Sequence, residues 1–325
     1  MPHHTQTMLE KVVKFFKNWM LPIVMVLGVS IYLLLHYLSG SAEETYIGIA
    51  KRVQPTLISV MLFLQLAVVS PRDLKFHRWH FVCIAAQTLL FAGFALLCIL
   101  LPHGNARILS ESAMLCFIAP TAVAAGVIAS KIGGNISSVM TYTVMIDFLV
   151  ALLIPAFIPL IHPETDVDFF PAFFSIIKRV SSILVLPCLL AWFIRYALPG
   201  LQRRLEKCVG WAFYIWGIAL TLAMSLATRS LVTSGIVWWV IICIGLISLL
   251  ACIFQFWLGR WLARSYGHAE SVTAGQALGQ KNNGFIIWLG FTYLTPVCSV
   301  AGGLYAIWHN LVNTWELYQA RKGQI

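Results

Sequence analysis

From Asn282 to Trp315 the chain carries no Asp, Glu, Lys or Arg, a run of 34 residues. As helix that run measures about 51 Å, more than one bilayer crossing and enough for most of two. Such a stretch cannot be the surface of a soluble domain. One lysine, Lys281, stands at its start within Gly279-Gln280-Lys281-Asn282-Asn283-Gly284. A lone ammonium at membrane depth costs roughly 2.5–3.5 kcal/mol on insertion scales, so such groups usually face a partner or a water-filled cavity. The glycines and asparagines around it predict a helix broken at membrane depth, and broken helices in membranes line binding sites.

Composition extends this reading to the whole chain. It is 60% hydrophobic, only 10% charged, and has a mean hydropathy of +0.84. The net charge of +10 is no sign of nucleic-acid binding. The basic residues lie at the ends of apolar runs, where they set topology. The eight cysteines form no CxxC pair and read as small buried hydrophobes, implying neither a disulfide framework nor a metal site. Residues 1–18, with Lys11, Lys14 and Lys17 on an amphipathic stretch, read as a cytoplasmic interfacial helix leading into the first span; no cleavable signal peptide is evident.

Apolar runs and their punctuation predict an all-α polytopic membrane protein with ten spans, near 19–39, 53–70, 79–101, 109–131, 137–161, 174–198, 209–228, 233–258, 268–293 and 296–317. The fourth is interrupted at Pro120 and the ninth at Gly279 to Gly284. These are matching places in two five-helix halves, 19–165 and 166–318, followed by a tail 319–325. Five helices per half invert one half relative to the other. Matched broken segments in inverted repeats are the best sequence pointer to a transporter binding site. With the N-terminus inside, only Lys51, Arg52, Arg107, Lys178, Arg179 and Arg229 fall outside; apart from Lys281, the other 15 of the 22 Lys and Arg are cytoplasmic. This bias predicts both termini inside.

Asp147, mid-way along the fifth predicted span, reads as the one acidic residue well inside an apolar run, and Lys281 as its one basic counterpart. Three readings stand: a proton- or ion-coupled switch, a static buried pair pinning the two spans, or two groups that do not meet. The N-terminal ends of the second half-helices would turn free N–H groups toward the breaks and favour an anion. Simple kinks in packed helices are the bland alternative. His309 and Asn310, and Gln87 in the third span, are polar groups among apolar neighbours that suit hydrogen bonds between helices as well as a ligand. No HExxH, GxSxG or P-loop occurs, and no pair of catalytic carboxylates, so no enzymatic activity is expected.

Residues Gly279 to Gly284, then Pro296, then Gly302-Gly303-Leu304-Tyr305-Ala306-Ile307-Trp308-His309-Asn310, resemble the ninth and tenth helices of the bile acid:sodium symporter family. That family carries a G-x-Q-N-S-G break and a downstream W-H-N. Pro120 to Gly126 followed by Gly134-Asn135 resembles its first crossover. The resemblance implies crossed broken helices 4 and 9, core and panel domains, an elevator-like motion, and transport of organic anions (bile acids, steroid conjugates, small carboxylates), usually with two sodium ions. It makes Val123, Ala125, Gly126, Lys281, Asn282 and Asn283 substrate-facing, with His309 and Asn310 lining or supporting the site.

The chain departs from that pattern where sodium binds. A glutamate of the family is replaced by Ala277, a glutamine by Lys281, and a Ser-Asn pair by Ala125-Gly126. Only Gln87, Thr143 and the carbonyls of Leu278 to Gln280 remain as sodium ligands. Ordinary two-sodium coupling is therefore expected to be lost, with the ammonium standing in for one ion and Asp147 governing a proton-linked step. The expected protein is a bacterial inner-membrane organic-anion transporter with no organic cofactor. A proton-coupled carrier, a sodium-independent uniporter and a non-transporting anion sensor are the alternatives.

Overall fold

The computed structural model describes residues 8–38, 40–122, 124–163 and 168–322, with side chains from residue 19 onward except 21. Among these residues the chain is helical throughout: α1 Met8–Leu38, α2 Gly40–Leu66, α3 Arg78–Leu100, α4 Asn105–Ile118, α5 Ala125–Lys131, α6 Ile136–Ile161, α7 Phe169–Ala197, α8 Pro199–Cys208, α9 Ala212–Thr233, α10 Trp238–Leu262, α11 His268–Gly279, α12 Asn283–Tyr293 and α13 Val300–Arg321. Six segments are long and apolar enough to cross a membrane: α2, α3, α6, α7, the α8–α9 run Pro199–Thr233, and α10. This is the make-up of a multi-pass membrane protein.

Their outward faces fit that setting. Leu89, Leu96 and Leu100 on α3, Phe174, Leu186 and Phe193 on α7, and Leu246, Leu250 and Trp257 on α10 are all exposed. Apolar surface on this scale is stable only against lipid or a partner. The opposite faces form the main core, which joins α3, α4, α6, α10, α11, α12 and α13 through Phe91, Phe117, Tyr142, Phe256, Phe285 and Trp288. Smaller clusters tie α1 to α9 around Val24, Leu220 and Ala223, and α1, α2 and α9 around Tyr32, Ile47 and Leu226.

The expected N-terminal helix is present and continuous with the first span: α1 runs unbroken from Met8 to Leu38, and Lys11, Lys14 and Lys17 are good helix formers. The helix boundaries differ from the expected ones at two places. α2 starts at Gly40, so the charged stretch with Glu43, Glu44, Lys51 and Arg52 is helix rather than loop. Its charges are held by neighbours: Glu43 accepts from His36 at 2.8 Å, and Arg229 donates to Glu44 at 2.6 Å. α8 is a short polar helix opened by Pro199, at the position where proline's missing N–H costs nothing. Of the predicted acidic loop, Glu164 and Asp166 lie outside the described residues; Asp168 sits just before α7.

The predicted runs 109–131 and 268–293 are each two helices with a break between them. α4 ends because Ala119 precedes a proline and is driven into an extended conformation, φ −56° and ψ 135°. α11 ends at Gly279, where Phe256 of α10 occupies the space a β-carbon would need. α12 restarts on Asn282, whose side chain accepts from the N–H of Phe285 at 3.1 Å.

Candidate functional site

The two breaks meet. Thr121 and Lys281 form an antiparallel bridge, with Ala122 N donating to Gln280 O and Asn282 N donating to Pro120 O, each at 2.9 Å. Each break leaves peptide groups without helical partners, and in lipid such groups must find partners inside the protein. Here each break satisfies the other.

Several further carbonyls at the crossing are also taken by protein donors. Gln87 of α3 donates to Ala119 O at 3.1 Å, and its own oxygen accepts from Tyr142 OH at 2.8 Å. Thr121 Oγ1 donates to Ala277 O, and Tyr305 OH to Gly279 O, both at 2.8 Å. Gln255 of α10 reaches Cys116 O at 3.2 Å and Tyr305 OH at 3.1 Å. Five elements (α3, α4, α10, α11 and α13) are thereby held on one unwound backbone. The crossing is closed: Lys281 is 0% exposed, Asn282 6% and Asn283 9%. Two open grooves, along Tyr46 and Ile49 and along Ile23 and Val26, lie on outer faces of α2 and α1.

The structure sorts the expected site residues into three groups. The Lys281 ammonium has no hydrogen-bond partner, and the ionisable groups that act on it electrostatically are Cys83, Cys116 and Cys252, on α3, α4 and α10. Cys83 is one helical turn before Gln87 on α3. Asp147 of α6 is 1% exposed, with neither oxygen hydrogen-bonded, and it acts electrostatically on Cys188 of α7. No ion pair joins Asp147 to Lys281 among the described residues. Of the three readings of that pair, the one in which they do not meet describes this conformation.

Asn282, Asn283 and His309 form the second group, on the other side of the break. Asn283 Nδ2 lies 3.2 Å from His309 Nε2. Gln54 of α2 reaches the same turn, donating to Gly284 O at 2.8 Å. Toward the other end of α12, the Lys51 ammonium lies 4.9 Å from the Phe291 ring, and Arg179 of α7 lies 5.8 Å from Trp288 and 5.9 Å from Tyr293.

The third group holds residues whose polar atoms are turned elsewhere. Asn310 donates to Ala306 O at 2.7 Å and Thr143 to Val139 O at 2.9 Å, each bonding back along its own helix. Each thus has a donor engaged on its own helix in this conformation, while its oxygen keeps its capacity to accept. Gln280 donates to Gln276, out of the crossing. Ala125 and Gly126, at the start of α5, are buried and contribute only backbone, and Ala277 contributes its carbonyl to Thr121. Val123 lies outside the described residues.

A scan against protein-family models and a search of curated protein sequences found no match for this chain. The site is thus read from its own geometry.

Two buried ion-pair clusters escaped the sequence reading. Glu111 of α4 accepts from Arg107 at 3.3 Å, His162 at 2.8 Å and the Thr295 N–H at 2.9 Å. Arg107 also donates to Ile161 O. Glu316 of α13 accepts from Arg260 of α10 at 2.6 Å and from Gln276, which in turn accepts from Gln280 beside Lys281. Asp147 is therefore not the only acid inside the bundle. The charges of Arg107 and Glu111, four residues apart, gave a signal in the sequence. Glu316 gave one too, as the residue that ends the uncharged run. A third acid, Glu270, gathers Trp79, Asn135 and Ser138 at 2.9, 3.3 and 3.2 Å, binding α3 and α6 to the start of α11.

Proposed function

We propose that this protein is a secondary transporter of an organic anion, working by alternating access around the crossing of α4–α5 with α11–α12. In this reading the helices make ten spans in two inverted five-helix halves, in a bacterial inner membrane, with both termini cytoplasmic. The observation that carries it is the antiparallel pairing of the two breaks, Thr121 with Lys281. Two interrupted helices crossing at membrane depth place half-helix ends and unwound backbone at one point, the arrangement of transporter binding sites. The resemblance of Gly279 to Asn310 to the bile acid:sodium symporter family supports the same reading.

Lys281 serves in this proposal as a fixed cation in place of a sodium ion. Gln87, a sodium ligand by resemblance, lies one turn after Cys83 on α3, and the carbonyls of Ala277, Gly279 and Gln280 already accept from Thr121, Tyr305 and Ala122. A sodium ion would have to displace those donors and lie within a few ångströms of a like charge, at a cost of several kcal/mol even at an effective dielectric of about 20. A second reading, proton coupling, is favoured by Asp147: a buried carboxyl without a partner against α7 can take or release a proton as the helices shift.

The test is uptake of a radiolabelled organic-anion panel into proteoliposomes. External sodium is exchanged for potassium, with and without an inward proton gradient, for the wild type and for Lys281→Gln combined with Ala277→Glu. Sodium-independent uptake by the wild type, and gain of sodium dependence by the double variant, is the expected result. Strict sodium dependence of the wild type would overturn the fixed-cation reading. Ligand binding without uptake or counterflow would make the protein a sensor.

A further inference from the structure

Where α2 and α7 finish, the bundle carries a surplus of exposed positive charge. The loop between α2 and α3 brings Arg72, Lys75 and Arg78, all exposed, against the single acid Asp73. α8 brings Arg203, Arg204 and Lys207, also exposed, against Glu206. The Glu206 carboxylate accepts from Gln202 at 2.6 Å. None of the six cations forms an ion pair among the described residues.

The loop and α8 are pinned to one corner. The Arg72 guanidinium lies 5.8 Å from the ring of Tyr196, in the last turn of α7. Lys75 N donates to Thr141 Oγ1 of α6 at 3.0 Å. Arg195 of α7 and Gln202 of α8 donate to the same carbonyl, Ala67 O just past the end of α2, at 3.2 and 3.3 Å. Gln202 is buried, and Leu205, three positions on, packs on the cluster of Leu66, Ala67 and Cys188. Arg203, Arg204 and Lys207 take the other side of the helix. Topology needs basic residues near this end of the chain's spans. It does not need them ranged along one face of a helix whose other face is bonded to α2 and α7.

The surroundings set this corner at the level of lipid headgroups. Tyr196 at the end of α7 is exposed, as are Trp211 and Tyr214 after α8, and such aromatic side chains concentrate at the membrane interface. Further back along α7, Leu186, Leu190 and Phe193 are exposed apolar surface.

We propose that this corner is a binding surface for anionic phospholipid, with the headgroup phosphate held by the cations of the α2–α3 loop and α8 and the acyl chains laid along α7. Clusters of about four to eight Lys and Arg beside a span or on an amphipathic helix attract anionic lipid. The arginine fork also meets two phosphate oxygens at once. Free phosphate shares the headgroup chemistry but gains nothing from Leu186, Leu190 and Phe193, so the lipid is the occupant. This inference needs only a membrane-embedded protein and stands apart from the transport reading.

The experiment titrates purified full-length protein in detergent with dioleoylphosphatidylglycerol, and in parallel with dioleoylphosphatidylcholine and with inorganic phosphate. Native mass spectrometry reads bound lipid, and thermal unfolding reads stability. Phosphatidylglycerol should be retained at lower concentration than phosphatidylcholine, and should stabilise where phosphate alone does not. Arg203→Gln, Arg204→Gln and Lys207→Gln together should weaken phosphatidylglycerol binding about a hundredfold, at about fivefold for each basic residue, and leave phosphatidylcholine binding unchanged. Arg203→Lys with Arg204→Lys should retain most of it. Arg264, Arg321 and Lys322, which lie after α10 and at the end of α13, changed together to Gln, are the charge-matched control and should leave it intact. If the α8 variant shows no cooperative unfolding without lipid, Arg72→Gln with Lys75→Gln makes the same test through exposed loop side chains, with an expected loss of about 25-fold. Equal retention of the two lipids by the wild type, an unweakened α8 or loop variant, equal loss in variant and control, or equal stabilisation by phosphate and phosphatidylglycerol overturns the proposal.

Discussion

Gly259 of α10 faces α11 so closely that a β-carbon there would lie 2.7 Å from the Ala274 carbonyl carbon and 2.9 Å from the Gly275 nitrogen, and would overlap the Ala274 oxygen. Every one of these atoms is backbone, so no side chain can swing aside. Carbon atoms rest at about 3.5–4.0 Å, and Gly259→Ala must therefore push the two helices apart locally by about 1 Å. Overpacking of this kind costs about 1–3 kcal/mol. The shift also travels toward the site. α11 runs directly into the break, and one turn further on Gly279 packs on the Phe256 ring of the same α10. Separating α10 from α11 therefore displaces Gln280 from Ala122 as well. Thermal or urea unfolding in detergent reads the first effect and anion uptake the second. Gly93→Ala on α3 is the control: nothing lies within 4 Å of that position, and alanine is the better helix former by about 1 kcal/mol. Gly259→Ala should be destabilised and impaired in uptake, with Gly93→Ala neutral or stabilised. If Gly259→Ala unfolds at the same point as the control and transports as well as the wild type, the close approach of α10 and α11 is not a requirement of the fold.

Two further outcomes are expected. Glu111→Ala should cost about 3–5 kcal/mol in denaturant unfolding, because it leaves the Arg107 charge and the Thr295 N–H buried without their partner; Glu111→Gln keeps an acceptor oxygen for one of the two and fills the same space, so it should cost less, and equal losses in the two would refute the role given to the pair. Asp147→Leu, which has the same branched shape, should raise stability by about 1–3 kcal/mol by removing two oxygens that bond nothing, while abolishing any proton stimulation of uptake; a destabilised variant would mean that the carboxyl has a partner.

Much of the crossing was legible in the chain because its causes are local. Pro120 forces Ala119 out of the helix, whatever surrounds it. Asn282 restarts α12 by bonding a residue three positions on. Both breaks could therefore be placed to within a residue or two. The stretch 40–52 was harder, since its charges resembled a loop. Glu43 and Glu44 are kept in helix by His36 of α1 and Arg229 of α9, which only packing brings near.

The sequence by itself determined that these residues form apolar helices, that two of them break, and that Lys281 lies at one of the breaks without a nearby acid in the chain. Tertiary structure alone decided where the charges point. Lys281 and Asp147 are both buried without a hydrogen-bond partner and form no ion pair, so the two opposite charges of the sequence do not meet among the described residues. It also decided that Asn310 and Thr143 bond their own helices, and that Gln54, unremarkable on α2, completes the first turn of α12. Helix formation and helix ends are settled by neighbours within about four residues along the chain. The direction of a side chain around the helix axis acquires meaning only from what packs against that face, and those partners come from everywhere else in the sequence.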